Sequence, residues 1–327
     1  MSKMIFLMGP INPATNNLTF RDSYIVLAEA LIEKKIIKKA IFLYNNDFNL
    51  SGKKKDICRD IQLDSLANLR NYLSCDYKAV FVRGNWQEHP QVVRKLKYKK
   101  LFFYAADSHF WPIYLKKELC DYILADNNKQ IKELNLILPK AKSFIFNKMV
   151  DSNVFKPKKV KKKYDLCYVA NFRSWKNHNM LFSAIRKWQN KKKKKLKIAL
   201  MGKLTDNLAE LKILLWKYNI EADLFDAVAP QKVAQILNQA KFSVQAGELD
   251  ANPRAISESL ACNVPVLINR DITGGTHLIN NFTGIKINLA RFDQGINLML
   301  RDYNKFKARD YFEKNLNAKK ITSFFDI

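Results

Sequence analysis

The chain has 327 residues, and 57 Lys and Arg against 30 Asp and Glu leave it a formal charge of +27. At roughly 150 residues per domain that length suggests two domains, while 48% hydrophobic and 12% aromatic residues with nine Gly exclude a disordered polycation, a histone-like tail and a collagen-like chain. So positive a charge points to nucleic acid or an anionic membrane, but Lys, Ile and Asn all have AT-rich codons, so coding bias is a second source of the same lysines.

Short apolar runs alternate with helical patterns from the start. Met4-Ile-Phe-Leu-Met8 reads as a buried strand, and Ser23 to Lys35 places Ile25, Leu27, Ala28, Leu31 and Ile32 on one helical face. Strands follow at Lys39 to Tyr44, Ala79 to Val82, Leu101 to Tyr104, Tyr122 to Ala125 and Ser143 to Phe146. Strands separated by helix-length segments mean βαβ units and a parallel sheet. From Val154 to Lys163 the pattern breaks into a basic stretch containing Pro157, and then the alternation restarts. Strands are expected at Tyr164 to Val169, Lys197 to Met201, Asp223 to Phe225, Phe242 to Gln245 and Pro265 to Ile268. Helices are expected from about Asn179 to Trp188, Gln231 to Ala240 and Ala255 to Ala261. This reading gives an N-terminal domain at 1–153, a basic linker at 154–163, a C-terminal domain at 164–305 and a helical tail at 306–327, amphipathic through Tyr311, Phe312 and Leu316. Two doubly wound α/β domains imply sites at the carboxyl ends of their strands.

The five Cys are widely spaced with no C-x-x-C, which argues against a disulfide framework or a zinc site and fits a reducing cytoplasm. The N-terminus turns polar after Met8, too soon for a signal-peptide core, and no apolar run approaches about 18 residues. There is no P-loop, no G-x-G-x-x-G, no H-E-x-x-H, no G-x-S-x-G and no Asp-x-Asp. With only four His, none at metal spacing, no metal or cofactor is expected. Phosphate handling then falls to Arg, Lys and helix N-termini.

The richest segment runs from Gly247 through Asp250, Asn252, Pro253, Arg254 and Glu258 to Ser-Leu-Ala-Cys262-Asn-Val-Pro-Val266. It leaves a strand, turns at Pro253, enters a helix and ends in a Pro-led strand. Pro253 sits near the helix start, where its missing N–H costs nothing, and the free N–H groups near Asn252 to Ala255 can face an anion or a sugar hydroxyl. Glu258, on a helix otherwise filled with Ala, Ile and Leu, needs a hydrogen-bonding partner, and a ribose diol is a chemically good one.

Here the sequence resembles the retaining GT-B glycosyltransferases of the family 4, or group 1, type. Their hallmark is an acidic residue, seven residues, then Glu, followed by Ala-Met-Ala-Cys-Gly-x-Pro-Val. This chain has Asp250 for the first Glu and Asn263 for the Gly. Val169-Ala-Asn-Phe-Arg-Ser-Trp-Lys-Asn-His178 is similar to the family's diphosphate loop: Lys176 matches directly, Asn171 stands where the family has Arg, and Arg173 lies two residues on. Ile198 to Gly202 resembles the strand-Gly element that lies against the nucleotide. Asn147 to Pro157 is similar to the family's interdomain connection, and Thr273-Gly-Gly to Gly284 to its Gly-Gly segment.

The resemblance implies two Rossmann-like domains facing across a cleft, the C-terminal helix available to pack back on the N-domain. It implies a metal-independent, retaining transfer of a sugar from a nucleotide-sugar donor to a glycan or lipid-linked acceptor, in cell-surface glycan or glycolipid synthesis. Glu258 would hold the donor ribose, and Lys176 with Arg173 the diphosphate. Asp250, Asn252, Pro253 and Arg254 would contact the sugar or pyrophosphate. In the N-terminal half, His109 follows a strand where the family's catalytic His lies, with Asp107 to orient it, although a lone His there is as often structural. Gly9 and Asn12 occupy the place of the family's acceptor or phosphate loop, and Arg83 lines the acceptor side or a plain surface loop. The expected location is cytoplasmic, peripheral on the inner membrane face through anionic lipid. Two other readings are open: a nucleotide-sugar epimerase of the same twin-domain fold, and a basic nucleic-acid-binding protein. The lysine runs at 53–55, 158–163 and 191–195 mostly lack interleaved aromatics, which speaks against nucleic acid.

Overall fold

The computed structural model describes residues 2–8, 23–44, 58–83, 89–105, 120–204 and 207–325. They form two units, 1–149 with 318–327 and 150–317.

Strands that are apolar at every position require burial on both faces, and β1 (Lys3–Met8) meets that requirement: Met4, Phe6 and Met8 join one core cluster, Ile5 and Leu7 the opposite one. After α1 (Ser23–Glu33), β2 (Lys39–Tyr44) repeats the pattern, with Phe42 stacked on Phe6 at 4.4 Å between ring centroids. β3 (Ile61–Ser65), β4 (Asp76–Arg83), α2 (His89–Lys95), β5 (Lys97–Ala105), β6 (Tyr122–Ala125), α3 (Asn128–Ile137) and β7 (Lys142–Ile145) complete the first unit. Among the described residues its seven strands are parallel in the order β3-β2-β1-β4-β5-β6-β7.

The second unit is built on the same logic. β8 (Tyr164–Val169), α4 (His178–Lys192), β9 (Ile198–Gly202), α5 (Leu208–Lys217), β10 (Ala222–Asp226), α6 (Pro230–Gln239), β11 (Ala240–Gln245), α7 (Arg254–Ala261), β12 (Val266–Asn269) and β13 (Gly284–Ile287) precede α8 (Phe292–Asp302) and α9 (Ala308–Asn315). The six strands are parallel in the order β10-β9-β8-β11-β12-β13. Leu166 and Tyr168 of β8 enter one core cluster with Phe182 of α4, and Cys167 enters the other with Ile256 and Leu260 of α7. Both units are α/β with doubly wound parallel sheets, as the alternation of patterns requires.

The sequence reading omits two strands, β3 and β13. Each is a sheet edge and only half buried, so its residues, Ile-Gln-Leu-Asp-Ser and Gly-Ile-Lys-Ile, carry no apolar run to announce it. The domain boundaries also differ. Residues 154–163 fall inside the second unit: Phe155 is buried in its core, the Lys158 N–H donates to Asn238 Oδ1 at 2.7 Å, and Lys162 Nζ donates to the carbonyls of Asn238 and Ala240. The segment expected as one tail is divided. Ala308, Phe312 and Leu316 bury in the second unit, whereas α10 (Ala318–Ile321) and the turn to Phe325 belong to the first. There Ala318 and Phe325 enter the core beside α1, Lys319 pairs with Glu33 at 2.6 Å, and the Phe325 ring lies 4.6 Å from Phe102.

Phe325 is thus a core residue of a sheet that ended nearly two hundred residues earlier in the chain. Phe325→Ala should lower stability by about 3 kcal/mol, read as a fall in the urea midpoint; an unchanged midpoint would show that the tail contributes nothing to the first unit.

Candidate functional site

In the second sheet the strand order runs outward in both directions from β8 and β11, which pair in parallel. Such a reversal opens a crevice at the carboxyl ends of the two strands, where open α/β sheets bind ligands. The loops that meet there are 170–177 and 246–253. Backbone and side chain tie them together: the Glu248 N–H donates to the Trp175 carbonyl at 3.0 Å, and Asn177 Nδ2 donates to the Ala246 carbonyl at 3.2 Å. Asn177 holds φ 55°, a left-handed conformation that Asn tolerates better than most residues, and from it the chain enters α4.

Across this junction Lys176 Nζ forms an ion pair with Asp250 Oδ2, both side chains mostly buried. The loop carrying Lys176 is held from below by Tyr168, whose hydroxyl donates to the Lys176 carbonyl at 2.5 Å. Burial first, and then the charge of Asp250, raises the Tyr168 pKa, so the hydroxyl keeps its proton and remains a donor. Next in the chain, His178 is 3% exposed among the rings of Tyr168, Phe172 and Phe182. Burial, assisted by the Lys176 charge, pushes its pKa down to about 4, and its Nδ1 has no hydrogen-bond partner among the described residues. His178 is therefore a neutral packing ring under the loop.

One turn into α7, Glu258 is 6% exposed and its carboxylate receives Arg254 Nε at 2.9 Å. Asn252 and Pro253, at the mouth of that helix, are buried. A third loop clamps the turn. Thr273 donates from both its N–H and its hydroxyl to the Glu248 carbonyl at 2.9 Å. A Cβ on Gly274 would lie 1.7 Å from the Ala251 carbonyl oxygen, so only Gly lets these backbones meet. Asn263, where the resembling family has Gly, sits at φ 57° just beyond α7 and accepts the Arg309 N–H at 3.0 Å; the substitution keeps the left-handed turn a helix end requires.

The structure pairs Lys176 with Asp250 across the β8 and β11 loops, places Asn252 and Pro253 directly before α7, and pairs Arg254 with Glu258 within that helix. Arg173, exposed, precedes the turn that carries Lys176. Toward the adjoining β9 loop, Asn171 Oδ1 accepts the Lys203 N–H at 2.7 Å, and Gly202 lies so close to Ala170 that a Cβ would be 2.3 Å from its carbonyl oxygen. Asn171 thus ties two loops of the site rather than supplying a charge. Arg83 ends β4 in the first unit with its guanidinium 5.0 Å from the Tyr24 ring centroid. His109, Asp107, Gly9 and Asn12 lie outside the described residues. Sequence reasoning missed Tyr168 and Asn177. The only signal for either is a strand Tyr and a loop Asn whose partners become visible once the turn is built. A hollow of about 690 Å³ lined by Asp76, Tyr77, Arg94 and Lys97 lies at the amino-terminal ends of β4 and β5, opposite the end at which open α/β sheets bind ligands.

A family model described as "Glycosyl transferases group 1" matches residues 149–318, more than half of the chain and nearly coincident with the second unit. The chain belongs to the group 1 glycosyltransferases. The segment that matches this glycosyltransferase family carries the crevice, and the first unit lies outside the match. Solved structures extend the likeness to the whole chain as fold. A glycosyltransferase from Rickettsia africae is 14% identical with a TM-score of 0.75, covering 99% of this chain and 97% of its own. HepE from Anabaena, in complex with UDP and glucose, is 12% identical with a TM-score of 0.69, covering 99% and 98%. A sucrose-phosphate synthase from Thermosynechococcus elongatus is 11% identical with a TM-score of 0.71, covering 99% and 98%. The architecture is that of the GT-B glycosyltransferases, with two Rossmann-like domains. A search of curated protein sequences gives no match.

Two measurements test the construction of the glycosyltransferase site. Gly274→Ala forces two backbones apart and should cost about 1–3 kcal/mol, read as a lowered melting temperature. His178 protonates near pH 6.5 when unfolded but only near 4 when folded, so it favours folding fully above pH 6.5. That contribution, up to about 3 kcal/mol, is lost as pH falls from 6.5 towards 4. His178→Phe should flatten the dependence of melting temperature on pH between about 6.5 and 5; an unchanged slope would show that His178 is not held neutral.

Proposed function

We propose that this glycosyltransferase moves a sugar from a nucleoside-diphosphate sugar to an acceptor hydroxyl, with retention of configuration and without a metal ion. The observation that carries the reading is Lys176, a cation held by Tyr168 and Asp250 at the switch point of the second sheet. As the bond between the sugar C1 and the phosphate oxygen breaks, charge accumulates on the departing diphosphate. A pre-positioned ammonium in a partly dehydrated crevice stabilises that charge without reorganising. Arg173 on the β8 loop and Arg254 at the start of α7 add positive charge, and the first turn of α7 would face an anion in the manner of helix N-termini. Glu258 accepts the donor ribose hydroxyls; its buried carboxylate already accepts a hydrogen bond from Arg254 at 2.9 Å. The acceptor oxygen bonds to C1 on the face the phosphate leaves, and its proton passes to the departing phosphate oxygen.

HepE is described in complex with UDP and with UDP-glucose, which supports a nucleoside-diphosphate donor for this chain. A lipopolysaccharide outer core galactosyltransferase, WaaB, has the same fold with a TM-score of 0.68 at 12% identity, covering 99% of this chain and 98% of its own. It supports an acceptor on a cell-surface glycan or glycolipid. His109 and Asp107 remain the proposed groups at the reacting centre, and Gly9, Asn12 and Arg83 the proposed acceptor side.

The test is release of nucleoside diphosphate from a panel of sugar nucleotides, with and without a chelator, followed by the anomeric configuration of the product. Release should survive chelation and fall at least about a hundredfold in Lys176→Ala and in Glu258→Ala, in variants whose far-ultraviolet circular dichroism shows the fold retained. Wild-type turnover in both variants would remove the site, and an isomerised sugar nucleotide as sole product would make the protein an epimerase.

A further inference from the structure

We propose that the outer face of α5 is a docking surface for an anionic lipid membrane. The helix buries Leu211 and Leu215 in the core of the second unit and turns Ala209, Ile213 and Trp216 outward at spacings of four and three, one stripe along the helix. Trp216 is 83% exposed and Ile213 62% exposed. A single exposed Leu is ordinary on a folded protein, but a Trp and an Ile side by side in water mark a surface that meets something else.

The charge around the stripe says what that is. Lys212 and Lys217 flank it on α5, both exposed. The five consecutive lysines 191–195 run from the last turn of α4 past its end, and Lys195 Nζ donates to the Asn219 carbonyl at 3.2 Å and to Asn219 Oδ1 at 2.8 Å. Those bonds place the lysine run beside the end of α5. Against these seven lysines stand Glu210 and Glu221, and Glu221 is already paired with Lys195 at 3.3 Å. An apolar stripe with an indole, rimmed by ammonium groups, matches the interface of an anionic bilayer. The indole and aliphatic groups enter the headgroup boundary while the lysines meet lipid phosphates. A second copy of the chain would present the same lysines to itself on a molecule of formal charge +27, so self-association is the poorer match.

The test uses no sugar nucleotide and changes no residue of the candidate donor site, so its failure and the failure of the proposed function are separate results. The full chain is sedimented with vesicles of phosphatidylcholine alone and of phosphatidylcholine with phosphatidylglycerol at about one third. The comparison includes the double variant Ile213→Ser with Trp216→Ser and a variant with lysines 191–195 replaced by Gln. These positions are exposed, so melting temperatures should not change. The wild type should bind the acidic vesicles, and each variant should lose at least about tenfold in partition coefficient. Equal binding to neutral vesicles, or undiminished binding by both variants, would overturn the proposal. A dimer in gel filtration that disappears in the Ser variant, with no vesicle binding by the wild type, would do the same.

Discussion

The donor site proposed for this protein depends on the reversal of strand order between β8 and β11. Lys176 and Asp250 are 74 residues apart in the chain, and no local preference brings them together. They meet because two adjacent parallel strands send their following segments in opposite directions across the sheet, leaving both loops at one edge of the crevice. The rest of the second unit serves that junction. Both faces of the sheet are buried, so the strand ends are rigid. The third loop, after β12, locks the turn before α7 through Gly274 and Thr273.

Ion pairing inside the site follows from its partial burial. A lone ammonium or carboxylate in such surroundings is costly, and the candidate site holds its charges in pairs: Lys176 with Asp250, Arg254 with Glu258. The pairing has a functional consequence. In the proposed donor site an arriving diphosphate would compete with Asp250 for Lys176, so the carboxylate would both hold the ammonium in place and weaken its hold on the anion. Loss of Lys176 would leave Asp250 unpaired and facing the diphosphate, a repulsion added to the missing attraction. The formal charge of +27 is a different matter: these site cations are balanced within the site, and the excess resides in lysines such as those at 191–195.

Much of the fold was legible because buried parallel strands must be continuously apolar: Met4 to Met8 and Tyr164 to Val169 announce themselves. Ile61 to Ser65 and Gly284 to Ile287 do not, since an edge strand is half solvated and its composition is mixed. The basic stretch at 154–163 misleads for the opposite reason. Its lysines look like a solvated linker, but Phe155 and the backbone at Lys158 anchor it to the second unit. Within the site, Lys176, Asp250 and Glu258 could be named because their spacing carries a motif. Tyr168 could not, because its role is a single hydrogen bond to a carbonyl that faces it after the loop has turned. Asn263 illustrates a departure that physics explains: at φ 57° Asn does what Gly would do.

The central claim is that the paired charges of the β8–β11 crevice receive a diphosphate. Calorimetric titration of the full chain with a panel of nucleoside diphosphates, in Lys176→Met and Asp250→Asn variants beside the wild type, tests it most directly. The account predicts that Lys176→Met weakens binding of the preferred nucleoside diphosphate at least about tenfold, while Asp250→Asn, which releases the ammonium from its competitor, leaves binding equal or tighter. Binding unaffected by Lys176→Met, or the absence of any nucleoside diphosphate binding by the wild type, would contradict it.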